Sequence, residues 1–139
     1  MSGLDCPPGF EPLFRTSPFL EVTGPYFYKP LKQGFIVGLR ITAKHTNVQG
    51  TAHGGLLATL ADVALGYVTA MSQHPPLRMT TTSLGLDYVG SAKLGDWLEA
   101  HVSVIKVGSR MAFANAILMA GATPVASTRA SFMVVGTTG

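Results

Sequence analysis

Residues 54 to 71 form an uninterrupted apolar stretch in which Asp62 is the only charged side chain. Leu56, Leu57, Leu60, Val63, Leu65, Val68 and Met71 are spaced by alanine and glycine, with few polar groups on any side. Eighteen residues are too many for an ordinary strand and suit five turns of helix. A helix that is apolar all round belongs inside the protein, so the rest of the chain must wrap around it. The flanking sequence supplies the wrapping. Residues 34 to 44 place Phe35, Val37, Leu39, Ile41 and Ala43 on alternate positions, the period of a strand with one buried face. Further strand-like runs cover 80 to 89, 97 to 107, 111 to 120 and 125 to 135, with glycines at 90, 95, 108 and 121 marking the turns between them. Short connections favour antiparallel hairpins. These elements predict an α+β fold: a curved antiparallel sheet of about five to six strands wrapped around one long buried helix.

The remaining segments fit a single domain of 139 residues. Residues 1–33 read as an N-terminal flap and edge strand. A short helical turn is expected around Phe10, Leu13 and Phe14, and a strand over 19 to 28 stopped by Pro30. Residues 34–136 are the core, and 137–139 a flexible tail. Only 12% of residues are charged against 47% hydrophobic, and the run 111 to 120 is apolar on both alternating faces. Both observations predict surface buried against a second copy of the chain. The net charge of +3 suits an anionic ligand, but the ten Lys and Arg residues are scattered singly, which argues against nucleic acid. The lone Cys6 excludes an internal disulfide and points to a reducing compartment. Met1 to Asp5 lack a basic, then apolar, leader, so a cytoplasmic protein without a membrane segment is expected.

Asp62 is the residue that demands a chemical explanation. A carboxylate inside an apolar helix costs several kcal/mol unless it is paired, and no Lys or Arg occurs from 45 to 77. Asp62 follows Gly55 by seven residues, which places the two within about 20° of each other around the helix axis. Side chains lean toward the helix N-terminus, so Asp62 points back toward the unpaired amides near Gly54 and Gly55. Glycines there allow close approach by a ligand, and those amides can polarise a carbonyl oxygen. An acid and amide donors facing one carbon suit transfer of an acyl group to water. Asp62 then serves either as general base or as the attacking nucleophile.

The combination Asn47, His53-Gly54-Gly55 and Asp62, at this spacing, resembles the hotdog-fold acyl-CoA thioesterases of the 4-hydroxybenzoyl-CoA thioesterase superfamily, most closely the phenylacetate-pathway (PaaI-type) branch. The resemblance covers about residues 34 to 136. It implies hydrolysis of an acyl-CoA thioester without metal or other cofactor, coenzyme A entering as part of the substrate. It also implies a homodimer or dimer of dimers with the active site at the subunit interface. By the same resemblance Gly55 gives its amide to the thioester oxygen, Asn47 and His53 order the loop or the water, and Asp62 is the catalytic carboxylate. Thr81, beside Thr82 and Ser83, then reaches the water from the partner subunit. The turn Lys106-Val107-Gly108-Ser109-Arg110 resembles a coenzyme A contact, with Gly54 as a further contact. After Leu86-Asp87-Tyr88 the family often has an Arg-Pro pair, whereas Val89-Gly90-Ser91-Ala92-Lys93 stands here. Lys93 is the nearest replacement.

Other readings stand beside this one. A non-catalytic acyl-CoA-binding or regulatory protein would keep the fold without turnover, and a hotdog hydratase would use a catalytic histidine differently. A metal held by His45, His53 and Asp62 lacks a recognised ligand spacing. His74 and His101 stand alone and read as surface or packing residues. Leu57, Tyr67, Met71 and Met79 are candidates to shape the acyl pocket.

Overall fold

The computed structural model describes residues 6–138; residues 1 to 5, the start of the expected N-terminal flap, and Gly139, the end of the expected tail, lie outside them. The elements in chain order are β1 (Glu11–Pro12), α1 (Pro18–Thr23), β2 (Phe27–Pro30), β3 (Phe35–Arg40), α2 (Gly54–Met71), β4 (Leu77–Tyr88), β5 (Trp97–Val107), β6 (Met111–Ala120) and β7 (Thr123–Thr137). All seven strands join one antiparallel sheet in the order β1-β2-β3-β5-β6-β7-β4, and α2 lies against its concave face. This is the hotdog arrangement. The count exceeds the expected five to six because β1 adds a two-residue rung beside β2.

Alternation on the strands puts the core where the helix is. Phe35, Val37 and Leu39 of β3, Ala112, Ala114, Ala116 and Leu118 of β6, and Ala126, Ala130 and Phe132 of β7 are buried in the same cluster as Leu56, Leu57, Leu60, Ala61, Ala64, Leu65 and Val68 of α2. The small alanines of β6 let the helix approach the sheet closely. On the opposite face of β3, a side chain at Gly38 would run into the Trp97 ring, which stacks edge-on against Phe10. Glycine at 38 is what admits that indole.

The helix is not surrounded on every side. Leu56, Leu57, Leu60, Ala61, Ala64, Leu65, Val68 and Thr69 are buried, whereas Gly55 is exposed and Thr59, Asp62, Val63, Gly66, Tyr67 and Ala70 form a half-covered stripe. By length and apolarity α2 would also suit a membrane span, but those eight residues are committed to the sheet and its surroundings. The long β4 is equally bare: it pairs with β7 on one edge and ends the sheet on the other.

The N-terminal segment departs from the sequence reading. Residues 19 to 28 do not form one strand. Ser17 caps α1 by accepting a hydrogen bond from the Leu20 amide (3.3 Å), Pro18 occupies the first turn, and only Phe27 onward is extended. Capping and proline pre-set the helix more strongly than the apolar run favours a strand. Nor do Phe10, Leu13 and Phe14 make a helical turn. Instead residues 13 to 23 form a strap that runs antiparallel across the open stripe of α2. At one end the Leu13 amide donates to the Tyr26 carbonyl (2.9 Å), and Phe14 packs against Tyr28, Phe35 and Tyr67 with ring centroids 5.1, 5.5 and 5.8 Å away. At the other end the Thr23 carbonyl accepts from His45 Nε2 at 2.6 Å. Two further boundaries shift. The strand from 34 ends at Arg40, because residues 43 to 45 close a single 3-10 turn that exposes Ala43 and buries His45. The expected tail at 137 is held, Thr137 completing β7 and the Thr138 amide donating to the Pro76 carbonyl at 2.8 Å.

Candidate active site

Asp62 sits at mid-helix on the open stripe, and Thr81 faces it from β4. The Thr81 hydroxyl donates to Asp62 Oδ1 at 2.9 Å within the same chain. Thr81 thus meets Asp62 in its own chain, where the resemblance implied that it reaches the water from the partner subunit. Strand alternation separates Thr81 from its neighbours, since Thr82 turns to the other face and bonds Ser131 (2.9 Å between hydroxyls). With Oδ1 held, Oδ2 is the oxygen left to face a ligand. Asp62 is half-buried, and the cleft in front of it has a volume of about 360 Å³. Its apolar walls include Leu20, Val63, Tyr67, Met79 and Phe132, and its rim carries Arg15 and Arg78.

The helix N-terminus opens into a different cleft. His53 is the N-cap residue of α2, and its Nδ1 accepts the Gly55 N–H at 2.9 Å, so His53 carries any neutral-state proton on Nε2. Gly55, His53, His45 and Thr59 line a space of about 400 Å³ closed on its far side by Phe19, Val22 and Thr23 of α1. Seven residues at 1.5 Å each separate Gly55 from Asp62 by about 10.5 Å along the axis. The shared helix face is real, but within one chain the acid and the Gly55 amide do not meet at one reacting carbon. That corrects the single-chain geometry expected from the 20° arithmetic, which accounts for direction and leaves out rise.

The other residues singled out in the sequence occupy separate positions. Asn47 closes its own loop: Oδ1 accepts from the Gln49 and Thr51 amides (2.9 and 3.2 Å) and Nδ2 donates to Thr51 Oγ1 (2.9 Å). The loop it orders leads to His53, whose amide donates to the His45 carbonyl at 2.8 Å. A backbone bridge between Thr51 and Lys93 brings Lys93 beside this loop. Lys106, Gly108, Ser109 and Arg110 form the hairpin tip between β5 and β6 and line neither cleft. Arg110 lies opposite Val134 of β7, two strands across from Met79, or about 10 Å. His45 meets neither His53 nor Asp62 through its ring, because Nδ1 faces Thr42 (amide 2.9 Å) and Nε2 faces Thr23. No three His, Cys, Asp or Glu side chains converge among the described residues. Of the pocket candidates, Tyr67 and Met79 line the Asp62 cleft, Leu57 is buried in the core, and Met71 lies at the far end of α2.

Two groups at the clefts were not among the sequence candidates. Arg15, Ser17 and Leu20 of the strap wall the Asp62 cleft. The Ser17-Pro18 pair, a helix-start signal, is what would have revealed that element. Tyr88 reaches back from the end of β4 to the Gly54 carbonyl (2.9 Å), and no spacing rule in the sequence indicates that contact.

A long helix lodged in a curved antiparallel sheet, with a threonine-held carboxylate on its open stripe and glycines at its capped start, is the arrangement of a hotdog-fold protein. The chain belongs to the thioesterase superfamily, whose family model matches residues 49–134. PA0474 of Pseudomonas aeruginosa, a candidate esterase by name, is 52% identical over 130 residues, covering 93% of this chain and 97% of its own. Acyl-coenzyme A thioesterase 13 of Mus musculus is 30% identical over 80 residues, covering 58% of this chain and 56% of its own. Among solved structures, the Escherichia coli PaaI protein from the phenylacetic acid degradation operon superposes with a TM-score of 0.78 at 22% identity, over 88% of this chain and 87% of that one. A Streptococcus pneumoniae thioesterase solved with coenzyme A gives 0.74 at 23% identity, over 82% and 91%. These last two likenesses establish the fold.

Proposed function

We propose that the protein hydrolyses acyl-CoA thioesters to the free acid and coenzyme A, at a site assembled from two copies of the chain. The observation that carries this reading is the Thr81–Asp62 hydrogen bond in an open cleft with apolar walls and a basic rim. A carboxylate oriented by a hydroxyl and facing a space for an acyl group is equipped to act on a thioester carbonyl. The missing half is an oxyanion donor, and the Gly55 amide of the same chain lies about 10.5 Å away along α2. A second copy supplies it when what the strap leaves open of the α2 stripe, and the open edge of β4, are covered. An unpaired edge of twelve residues is a surface that proteins ordinarily pair or protect.

In this reading the thioester oxygen takes the Gly55 N–H of one copy, displacing the exposed His53 ring that holds it in the free protein. Asp62 of the other copy accepts a proton from water as the water attacks the carbonyl carbon. The tetrahedral intermediate then collapses with cleavage of the C–S bond, and the proton passes to the departing thiolate. The alternative keeps the same residues: Asp62 attacks directly, the thiolate leaves, and water cleaves the resulting anhydride. The relationship to acyl-coenzyme A thioesterase 13 and the coenzyme A complex of the Streptococcus pneumoniae fold neighbour support the substrate class. The basic hairpin tip at Lys106 and Arg110 and the basic rim at Arg15 and Arg78 are the surfaces available to its phosphates.

Thiol release measured over a panel of acyl-CoA substrates tests the reading. Asp62→Asn should lower turnover at least about 10²-fold with the fold retained, as for loss of a general base or nucleophile. Undiminished release by that variant overturns it. A single turnover in ¹⁸O water that leaves label in the Asp62 carboxylate establishes the anhydride route, with water attacking the Asp62 carbonyl carbon.

A further inference from the structure

We infer that Tyr88 is a positioning residue that fixes and polarises the peptide carrying the Gly55 amide, an inference that rests on Gly55 serving as the oxyanion donor. The Tyr88 hydroxyl donates to the Gly54 carbonyl oxygen at 2.9 Å. That carbonyl and the Gly55 N–H are the two ends of one planar peptide unit. A hydrogen bond to the oxygen end draws electron density from the nitrogen end and makes its N–H a better donor, as in any hydrogen-bonded chain of peptides.

The placement has no explanation in helix capping. The first turn of a helix has surplus N–H donors, and its carbonyls already receive hydrogen bonds from the following turn. A side chain that served the helix alone would bring an acceptor, as His53 does. Tyr88 brings a donor, which uses the second lone pair of Gly54 O and acts on the peptide's dipole. Nor does the ring owe its place to the core, since Tyr88 is 55% exposed.

Its backbone, by contrast, is held in place. Tyr88 pairs with Ala126 of β7, and the next two amides, Val89 and Gly90, both donate to the Val125 carbonyl (3.0 and 3.2 Å). A side chain at Gly54 would meet the Tyr88 ring and hydroxyl at 3.4 Å, so the ring lies against the bare Gly54 backbone. The phenol thus packs at van der Waals distance on the Gly54 backbone while its hydroxyl meets the Gly54 carbonyl. Strand β4 thereby supports both halves of the chemistry, Thr81 on the acid and Tyr88 on the amide.

Tyr88→Phe removes one oxygen and keeps the ring. The full-length variant should show kcat reduced about three- to tenfold, the size of one lost neutral hydrogen bond, with KM and thermal midpoint unchanged. In the free protein its Gly55 ¹H–¹⁵N resonance should move upfield, because a less polarised N–H donates more weakly to His53. The inference is overturned if kcat and the Gly55 resonance stay at wild-type values, or if KM rises while kcat holds, which would make Tyr88 a substrate contact instead. Asp62→Asn, run in parallel, separates the two levels. A dead Asp62→Asn with a wild-type Tyr88→Phe removes the Tyr88 role alone, whereas full activity in Asp62→Asn removes the proposed function beneath it.

Discussion

Two inactive variants should restore each other. Asp62→Asn removes the acid half of the site. Gly55→Pro removes the amide half, and since position 55 is in the first turn of α2, its N–H takes part in no bond of the helix ladder. Each variant alone should fall at least about 10²-fold, from loss of the carboxylate or of an oxyanion donor. Within one chain the two halves lie in separate clefts with about 10.5 Å of helix rise between them. If sites form between copies, unfolding and refolding an equal mixture yields mixed dimers for about half the population by random association. Each mixed dimer contains one site with Asp62 from the proline variant and Gly55 from the asparagine variant, and one site with both halves damaged. About a quarter of all sites are then intact, so thiol release should recover to about a quarter of wild type. Mixed dimers isolated through two different affinity tags should reach about half. Tag-purified mixed dimers no more active than the better parent would refute the shared site and return the chemistry to a single chain.

Tyr67 lines the Asp62 cleft about 7.5 Å of helix rise beyond the acid, and Phe14 of the strap packs behind it. Tyr67→Ala should shift the acyl-CoA preference toward longer or bulkier acyl groups, read as kcat/KM across the panel, and an unshifted profile would free that end of the cleft from a selective role. Burial pushes the Tyr26 phenol above its usual value, with the Thr23 hydrogen bond pulling the other way. A raised value in the folded state means that the ionised form is the one the fold disfavours. The neutral hydroxyl's contribution is therefore complete below about pH 10 and fades as pH climbs beyond it. Urea unfolding from pH 8 to 11.5 should show a decline at the alkaline end that Tyr26→Phe diminishes, and an equal decline in both proteins would assign the effect elsewhere.

The sequence read most clearly where one periodicity dominated. The span Gly54–Met71 and the limits of Trp97–Val107 and Met111–Ala120 follow from apolar runs closed by glycine turns. The segment before β3 reads less clearly, because the apolar content of residues 19 to 28 says nothing about period, while the decisive signal is the local chemistry of Ser17 and Pro18. For the site, helical angle was legible and distance was not weighed: Gly55 and Asp62 point the same way but open into separate clefts. Thr81 stands out in the sequence only by resemblance, and its meeting with Asp62 inside one chain depends on how β4 lies against α2. The Tyr88 contact spans thirty-four residues and depends on where β4 ends. Contacts of that kind are set by packing of distant elements and leave no local mark.

The sheet order also sets a timetable for synthesis. Strand β4 emerges from the ribosome before β5, β6 and β7, yet among the described residues it pairs only with β7, the last of the seven strands in chain order. Until Thr123–Thr137 is made, the strand carrying Thr81 and Tyr88 has no ladder to hold it. A nascent or C-terminally shortened chain therefore displays both edges of β4 at once, and a neighbouring chain on the same message can offer its own strand in place of the missing one. The register that brings Thr81 and Tyr88 to α2 is therefore fixed only once β7 has been made, so the strand farthest along the sheet's chain order decides where β4 lies.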